Sequence, residues 1–173
     1  AAVAAAQSCP SRTLGTTLGV GDDTLFAIQP IGFAFPFAGT TYTNVHVSTN
    51  GFVYLSNAGT PAPGAADATP TTAEFVAGSP RIAPFWNDLD VRADNNAGVF
   101  LDSSAAGCTI TWKNAQDYAT GNQSTPVFDV QLQLLPSGDV RVYYSSSTTC
   151  AANCAGSGCT REALCTRSGC RGL

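Results

Sequence analysis

Between residues 45 and 55 the chain reads VHVSTNGFVYL, two β-rich runs joined at Asn50-Gly51, and no other feature limits the fold as sharply. Asn-Gly is the strongest short signal for a two-residue hairpin, because both turn positions favour positive φ. A two-residue loop would pair Val47 with Tyr54 and Thr49 with Phe52. Val45, Val47, Phe52 and Tyr54 would then share a core-facing side, with His46 and Ser48 on the other. Period-2 alternation recurs along the chain. Phe33, Phe35 and Phe37 alternate with Ala34, Pro36 and Ala38. Phe128, Val130, Leu132 and Leu134 alternate with Asp129, Gln131 and Gln133. A turn at 136–139 then leads into inward Val140, Val142 and Tyr144, with Arg141 and Tyr143 outward. Pro36 has no N–H, so its strand belongs at an edge or contains a break. Shorter strands are expected at 98–101 and 108–112, with an apolar strand or bend at 82–86 and a polar turn at 87–96. No segment keeps a 3.6-residue period, and no internal repeat is visible. The expected fold class is all-β, a two-sheet antiparallel β-sandwich with a short Cys-rich C-terminal extension.

Composition narrows the function classes. At 173 residues the chain is long enough for one domain. Only 12% of residues are charged, about half of the usual share of roughly 25%. A surface of Ser, Thr, Asn, Gln and Gly repels itself little, which suits packing against copies; it also suits a secreted protein built from small residues. A net charge of −4 with a single Lys excludes the clustered cations that nucleic acid requires. No apolar run approaches the roughly 20 residues of a membrane span. The start, AAVAAAQ, reads as the small-residue end of a secretory signal. Residues 1–12 are expected to form an N-terminal arm, 13–149 the β domain and 150–173 a disulfide-rich tail. Residues 56–80, rich in Ala, Thr, Pro and Gly, form a loop of a length that is usually functional or mobile.

The cysteines agree with export. Cys9 and Cys108 stand apart, whereas Cys150, Cys154, Cys159, Cys165 and Cys170 crowd into the tail. There is no C-x-x-C, and the single histidine, His46, is far away, so disulfides are favoured over zinc. Disulfides imply an oxidising compartment, outside the cell or at its surface. Seven is odd, so one cysteine is unpaired or bonds another chain; the connectivity stays open.

The ordered pieces IGFAFPFAGTTYTNVHVSTNGFVYL (31–55), RIAPFWNDLDV (81–91), GVF (98–100), TITWKNAQDY (109–118) and VFDVQLQLLPSGDVRVYYS (127–145) resemble the nidogen-type extracellular domain. The resemblance spans residues 25–146 and implies an adhesive or structural β domain outside the cell. It carries no catalytic residues to transfer, and the Cys-rich tail departs from the pattern.

The candidate site is acidic. Asp88, Asp90 and Asp94, with Asn95 and Asn96, gather oxygen ligands of the kind Ca²⁺ takes, although the spacing is not that of an EF-hand. Aspartates capping a turn are the commoner reading. Asp22 and Asp23 form a second acidic pair that could add ligands, or a solvated turn. His46 and Ser48 share a strand face but lack a nucleophile elbow, so an exposed strand histidine is preferred to catalysis. Trp86, Trp112, Tyr118, Tyr143 and Phe85 could present an aromatic platform to sugars, though strand aromatics are more often core. Asn122-Gln123-Ser124 is a glycosylation acceptor sequence.

The expected function is therefore a non-enzymatic secreted structural or adhesive protein, with no cofactor beyond calcium. It would assemble with copies of itself through its terminal segments into an extracellular polymer or matrix, and could contact other matrix or surface components. The alternative is a calcium-dependent or aromatic-platform glycan-binding module of a cell-surface adhesin.

Overall fold

The computed structural model describes residues 14–92, 96–118, 128–146, 162–166 and 169–171. Twelve strands and one short helix follow in the order β1 (Thr16–Gly19), β2 (Gln29–Phe37), β3 (Thr40–Ser48), β4 (Phe52–Ser56), α1 (Thr72–Ala77), β5 (Arg81–Ile82), β6 (Leu89–Asp90), β7 (Gly98–Ser104), β8 (Gly107–Asp117), β9 (Phe128–Leu134), β10 (Val140–Ser146), β11 (Glu162–Thr166) and β12 (Gly169–Arg171). The larger sheet runs β1-β7-β8-β9-β10-β11-β12, with β6 paired to β8 off this path; the smaller runs β2-β3-β4-β5. Every pairing among the described residues is antiparallel. The chain is mostly β, in two antiparallel sheets, as the alternation predicts.

One apolar core is fed by both sheets. Ile31, Phe35, Val45, Val47, Val53 and Leu55 come from the smaller sheet; Val99, Leu101, Ile110, Trp112, Val130, Leu132, Leu134, Val140 and Val142 come from the larger. Trp112 is fully buried, and its indole Nε1 donates to the Ser48 carbonyl at 2.7 Å, tying the two sheets across the core. On β9 the odd partners Asp129, Gln131 and Gln133 are only half-buried, so the predicted facing holds there, and Val140 and Val142 on β10 also point inward. Strand β2 lies at an edge of its sheet, and its register with β3 shifts between Pro30 and Phe35. The edge position and the break expected of a proline-containing strand are both present.

The β3–β4 hairpin differs from the two-residue reading. Ser48 pairs with Phe52 and Val47 with Val53, so the loop holds three residues, Thr49, Asn50 and Gly51. Gly51 sits at φ +75°, the left-handed conformation of a three-residue hairpin with a bulge. One added loop residue shifts the register by one and exchanges the faces of β4. Val53 and Leu55 join Val45 and Val47 in the shared core, while Phe52 and Tyr54 lie with His46 and Ser48 on the outer face. That face is covered too: all five β4 residues are buried, and His46 is 5% exposed rather than the solvent-facing residue expected.

Two further segments differ from expectation. Within residues 56–80 a helical turn forms, α1, because Thr71 caps it: its hydroxyl oxygen accepts the Glu74 N–H at 3.2 Å and its O–H donates to Glu74 Oε2. Residues 87–96 are not a simple polar turn, since Leu89 and Val91 are fully buried and β6 pairs with β8. Replacing Trp112 by Phe should cost about 2–4 kcal/mol, combining lost volume with the lost indole bond to the Ser48 carbonyl. Urea denaturation of the variant measures this; a loss under about 0.5 kcal/mol, the scale of an ordinary surface substitution, would show that the cross-sheet bond and indole packing do not hold the sheets together.

Candidate functional site

Loops 20–24, 49–51, 85–92 and 117–118 meet at one end of the sandwich. The hairpin tip organises them. A Cβ at position 51 would lie 2.0 Å from the Phe85 carbonyl oxygen, so only glycine lets the 85–89 segment pass this close. Phe85 N–H donates to the Gly51 carbonyl at 3.2 Å, and Asn87 N–H to the Asn50 carbonyl at 3.3 Å. Thr49 N–H donates to the Thr24 carbonyl at 2.9 Å, while Thr24 N–H donates to Thr49 Oγ1 at 3.0 Å. Asn50 is fully buried; its Nδ2 donates to Asp23 Oδ1 at 2.8 Å and to the Ala66 carbonyl, and its Oδ1 accepts the Leu89 N–H at 2.9 Å.

These bonds bring Asp22, Asp23 and Asp88 together. One carboxylate oxygen of each lies within 4.8 Å of the others. Two oxygens each about 2.4 Å from one ion are at most about 4.8 Å apart, so the spacing matches a shared Ca²⁺. Burial raises the Asp88 carboxyl above its ordinary value, and the charges of Asp23, Asp22 and Asp117 raise it further. Burial raises Asp22 as well, opposed by Arg92 and reinforced by Asp23 and Asp90. Asp22 Oδ1 is buried without a hydrogen-bond partner among the described residues. The cluster is therefore a place where negative charge is held under repulsion.

The three aspartates singled out in the sequence divide. Asp88 is in the cluster. Asp90 is 2% exposed and is taken by Arg92, whose Nε reaches Asp90 Oδ1 at 2.8 Å and whose Nη2 reaches Asp90 Oδ2 at 3.1 Å. A carboxylate bound on both oxygens by one guanidinium has little left to offer a cation. Asp94 lies outside the described residues, as does Asn122-Gln123-Ser124. The structure brings in Asp22 and Asp23 instead, and Arg92 extends to Asp22 Oδ2 at 3.2 Å. The Gly-Asp-Asp run was the available sequence signal; what it lacked was the hairpin tip that bridges it to Asp88.

Of the aromatics, Trp112 is core and Tyr143 is half-buried. Trp86 packs on Phe52 with ring centroids 5.0 Å apart. Phe85 and Tyr118 stay exposed, at 39% and 43%, and Tyr118 N–H donates to the Asp88 carbonyl at 2.8 Å, so an exposed ring stands beside the acidic cluster. His46 and Ser48 do not form a nucleophile pair. His46 Nδ1 faces the Phe26 carbonyl at 3.3 Å, and the Ser48 hydroxyl donates to the Ala66 carbonyl at 3.2 Å. Cys108 is a buried thiol, pushed up to about 12 by burial and by Asp102. Cys9, Cys150, Cys154 and Cys159 lie outside the described residues, and for Cys165 and Cys170 only the backbone of β11 and β12 is described.

The raised carboxyls carry a pH dependence of definite sign. A folded-state pKa above the unfolded value means that the native state binds the extra proton. The contribution to stability is then full below the unfolded value of 3.8 and is lost as pH rises through the folded value. Asp88→Asn should therefore raise the melting temperature at pH 7 in the presence of chelator and flatten its dependence on pH between 4 and 7. Calorimetric melts across that range test this, and a lower neutral-pH melting temperature for the variant would contradict repulsion in the cluster.

A family model described as NIDO related matches residues 4–163. No curated protein and no solved structure matches the chain significantly. With the family pattern covering most of the sequence and the β architecture in place, the chain belongs to the nidogen-related family.

Proposed function

We propose that the protein is a non-enzymatic extracellular structural or adhesive module that assembles with copies of itself through its terminal segments. The observation that carries this reading is the family match over residues 4–163, since nidogen-related domains are non-catalytic modules with an extracellular setting. Two features support assembly. The apolar arm AAVAAAQ has no place in the strand alternation, and edge strands such as β2 are surfaces to which a further strand can add. A head-to-tail contact of this kind that does not close on itself yields an open fibre rather than a ring. Deleting residues 1–8 should abolish or weaken assembly in oxidised protein, read by light scattering and electron microscopy. A full-length chain that remains monomeric at high concentration, with no polymer in native material, would overturn the reading.

A second reading is favoured by the geometry of Asp22, Asp23 and Asp88: a calcium-dependent contact surface, with Phe85 and Tyr118 as exposed rings for a glycan. Three carboxylates supply the charge, and water or backbone carbonyls complete the six to eight oxygens that Ca²⁺ takes. Calcium should raise the melting temperature of the wild type and leave Asp88→Asn unmoved, with a matching heat in titration calorimetry. Absence of heat and of any shift in the wild type would return these residues to turn-capping duty.

A further inference from the structure

The outer face of the smaller sheet holds an occupant supplied by the chain itself. Residues 63–67, a strap of small residues, cross the face made by Ser48, Tyr54 and Trp86. Trp86 Nε1 donates to the Asp67 carbonyl at 2.8 Å and Ser48 Oγ to the Ala66 carbonyl at 3.2 Å, which Asn50 Nδ2 also reaches. Tyr54 Oη and Ser79 Oγ approach the Ala65 and Pro63 carbonyls at 3.4 Å each. Every acceptor is a main-chain carbonyl. Gly64 lies over Tyr54 so closely that a Cβ there would meet Oη at 2.6 Å and Cζ at 3.1 Å. The groove thus accepts a run of small residues, bent at Gly64, through its backbone carbonyls.

The strap is held as a displaceable element. Among residues 57–80 only Ala66 is buried, and α1 buries nothing, with Phe75 50% and Val76 77% exposed. The excursion leaves and returns at one point, since Leu55 N–H donates to the Pro80 carbonyl at 2.9 Å, so it can swing out without disturbing the sheet. His46 Nε2, Ser56 Oγ, Arg81 Nε and Arg81 Nη1 are buried on this same face without hydrogen-bond partners among the described residues, so the strap leaves its cover incompletely satisfied. Arg81 is held by the rings instead, 4.5 Å from the Trp86 centroid and 4.8 Å from that of Tyr54.

We propose that the strap exchanges between two copies, residues 63–67 of each lying in the groove of the other. A second copy presents the same carbonyls and the same glycine over Tyr54, so each contact broken in one chain is remade in the pair. Exchange of an identical element is a low-cost route to dimers, and a reciprocal exchange closes on a two-fold axis. This dimer is independent of the open-ended assembly through terminal segments.

Two full-length variants test it. Gly64→Val spoils the strap and leaves the groove; Tyr54→Phe with Trp86→Phe removes two groove donors and leaves the strap. The wild type should sediment as a concentration-dependent dimer, and a monomeric wild type at high concentration would overturn the exchange. Each variant alone should sediment as a monomer, and an equimolar mixture, which restores one of the two exchanged contacts, should show a species of twice the mass in analytical ultracentrifugation. The mixture is also run without residues 1–8, where the dimer should persist even though fibre formation is lost. If Gly64→Val does not fold, a chain with residues 60–68 replaced by Gly-Ser repeats takes its place. A mixture that stays monomeric, while red-shifted Trp86 emission shows the groove of the strap variant empty, overturns the proposal. So does binding of a synthetic peptide of residues 60–68 to that groove without any heterodimer.

Discussion

The carboxamide of Asn50 is the constraint on which the rest of this end of the molecule depends. It is fully buried, and with one side chain it joins the β3–β4 hairpin to three other segments: Asp23, Ala66 and Leu89. Only an amide can do this, because the site demands two donated bonds and one accepted bond from the same group. A carboxylate would repel Asp23 and could not donate to the Ala66 carbonyl. An apolar residue would orphan the buried Leu89 N–H, at about 1–3 kcal/mol for each unsatisfied group. The neighbouring Gly51 supplies the close approach to Phe85 that brings the 85–89 segment within reach of that amide. The acidic cluster and the seating of the strap are therefore two consequences of one hairpin tip.

That tip also explains where sequence reading succeeded and where it failed. Strands β9 and β10 alternate apolar and polar residues, and their facing was legible because only one choice buries the apolar set. In β4, Phe52, Val53, Tyr54 and Leu55 are all apolar, so either face could serve as the core and the pattern carries no register. The decision passed to the turn, and Asn-Gly fits a two-residue loop as well as the last two positions of a three-residue one. Thr49 settled it through its backbone and hydroxyl bonds to Thr24, a partner distant in sequence and invisible to local propensity. The capping pair Thr71 and Glu74 was a readable local signal, hidden by the Ala/Pro/Gly surroundings that argued for plain loop. At the candidate site, Asp88 and the Asp22-Asp23 pair were visible as acidic runs, but their meeting depends on tertiary bonds made by Asn50 and Thr49. Asp90 was indistinguishable in sequence from Asp88 until Arg92 was seen on both its oxygens.

A strand buried on both faces needs cover on both, and this fold provides it asymmetrically. The inner face of β4 packs on a second sheet of Val, Leu, Ile and Trp side chains, close-packed and specific. The outer face is covered by a loop that offers carbonyl oxygens and small residues, and the sheet answers with hydroxyl, amide and indole donors. Hydrogen bonds of this kind yield little net stability each, about 1 kcal/mol, while setting geometry tightly. The inner face thus carries apolar packing, and the outer face carries directional bonds to a loop.

The buried thiol bears on the assembly proposed for this chain. An odd cysteine count leaves one sulfur that has no partner in the chain when all others pair, and an intermolecular bond is one outlet for it. Cys108 is fully buried on β8, opposite Leu134 and within the apolar core, and burial holds it as a thiol well above neutral pH. A thiol that is neither exposed nor ionised does not take part in disulfide exchange. Removing Cys108 from the count leaves six cysteines in this sequence, an even number, so parity no longer calls for a covalent link between chains. In the assembly proposed above, contacts between copies would then fall to strand edges and the strap groove, whose strength is set by backbone hydrogen bonds and small apolar areas. Such contacts form and dissolve with concentration, unlike covalent links, and in the proposed assembly they would place control in local protein density rather than in redox chemistry.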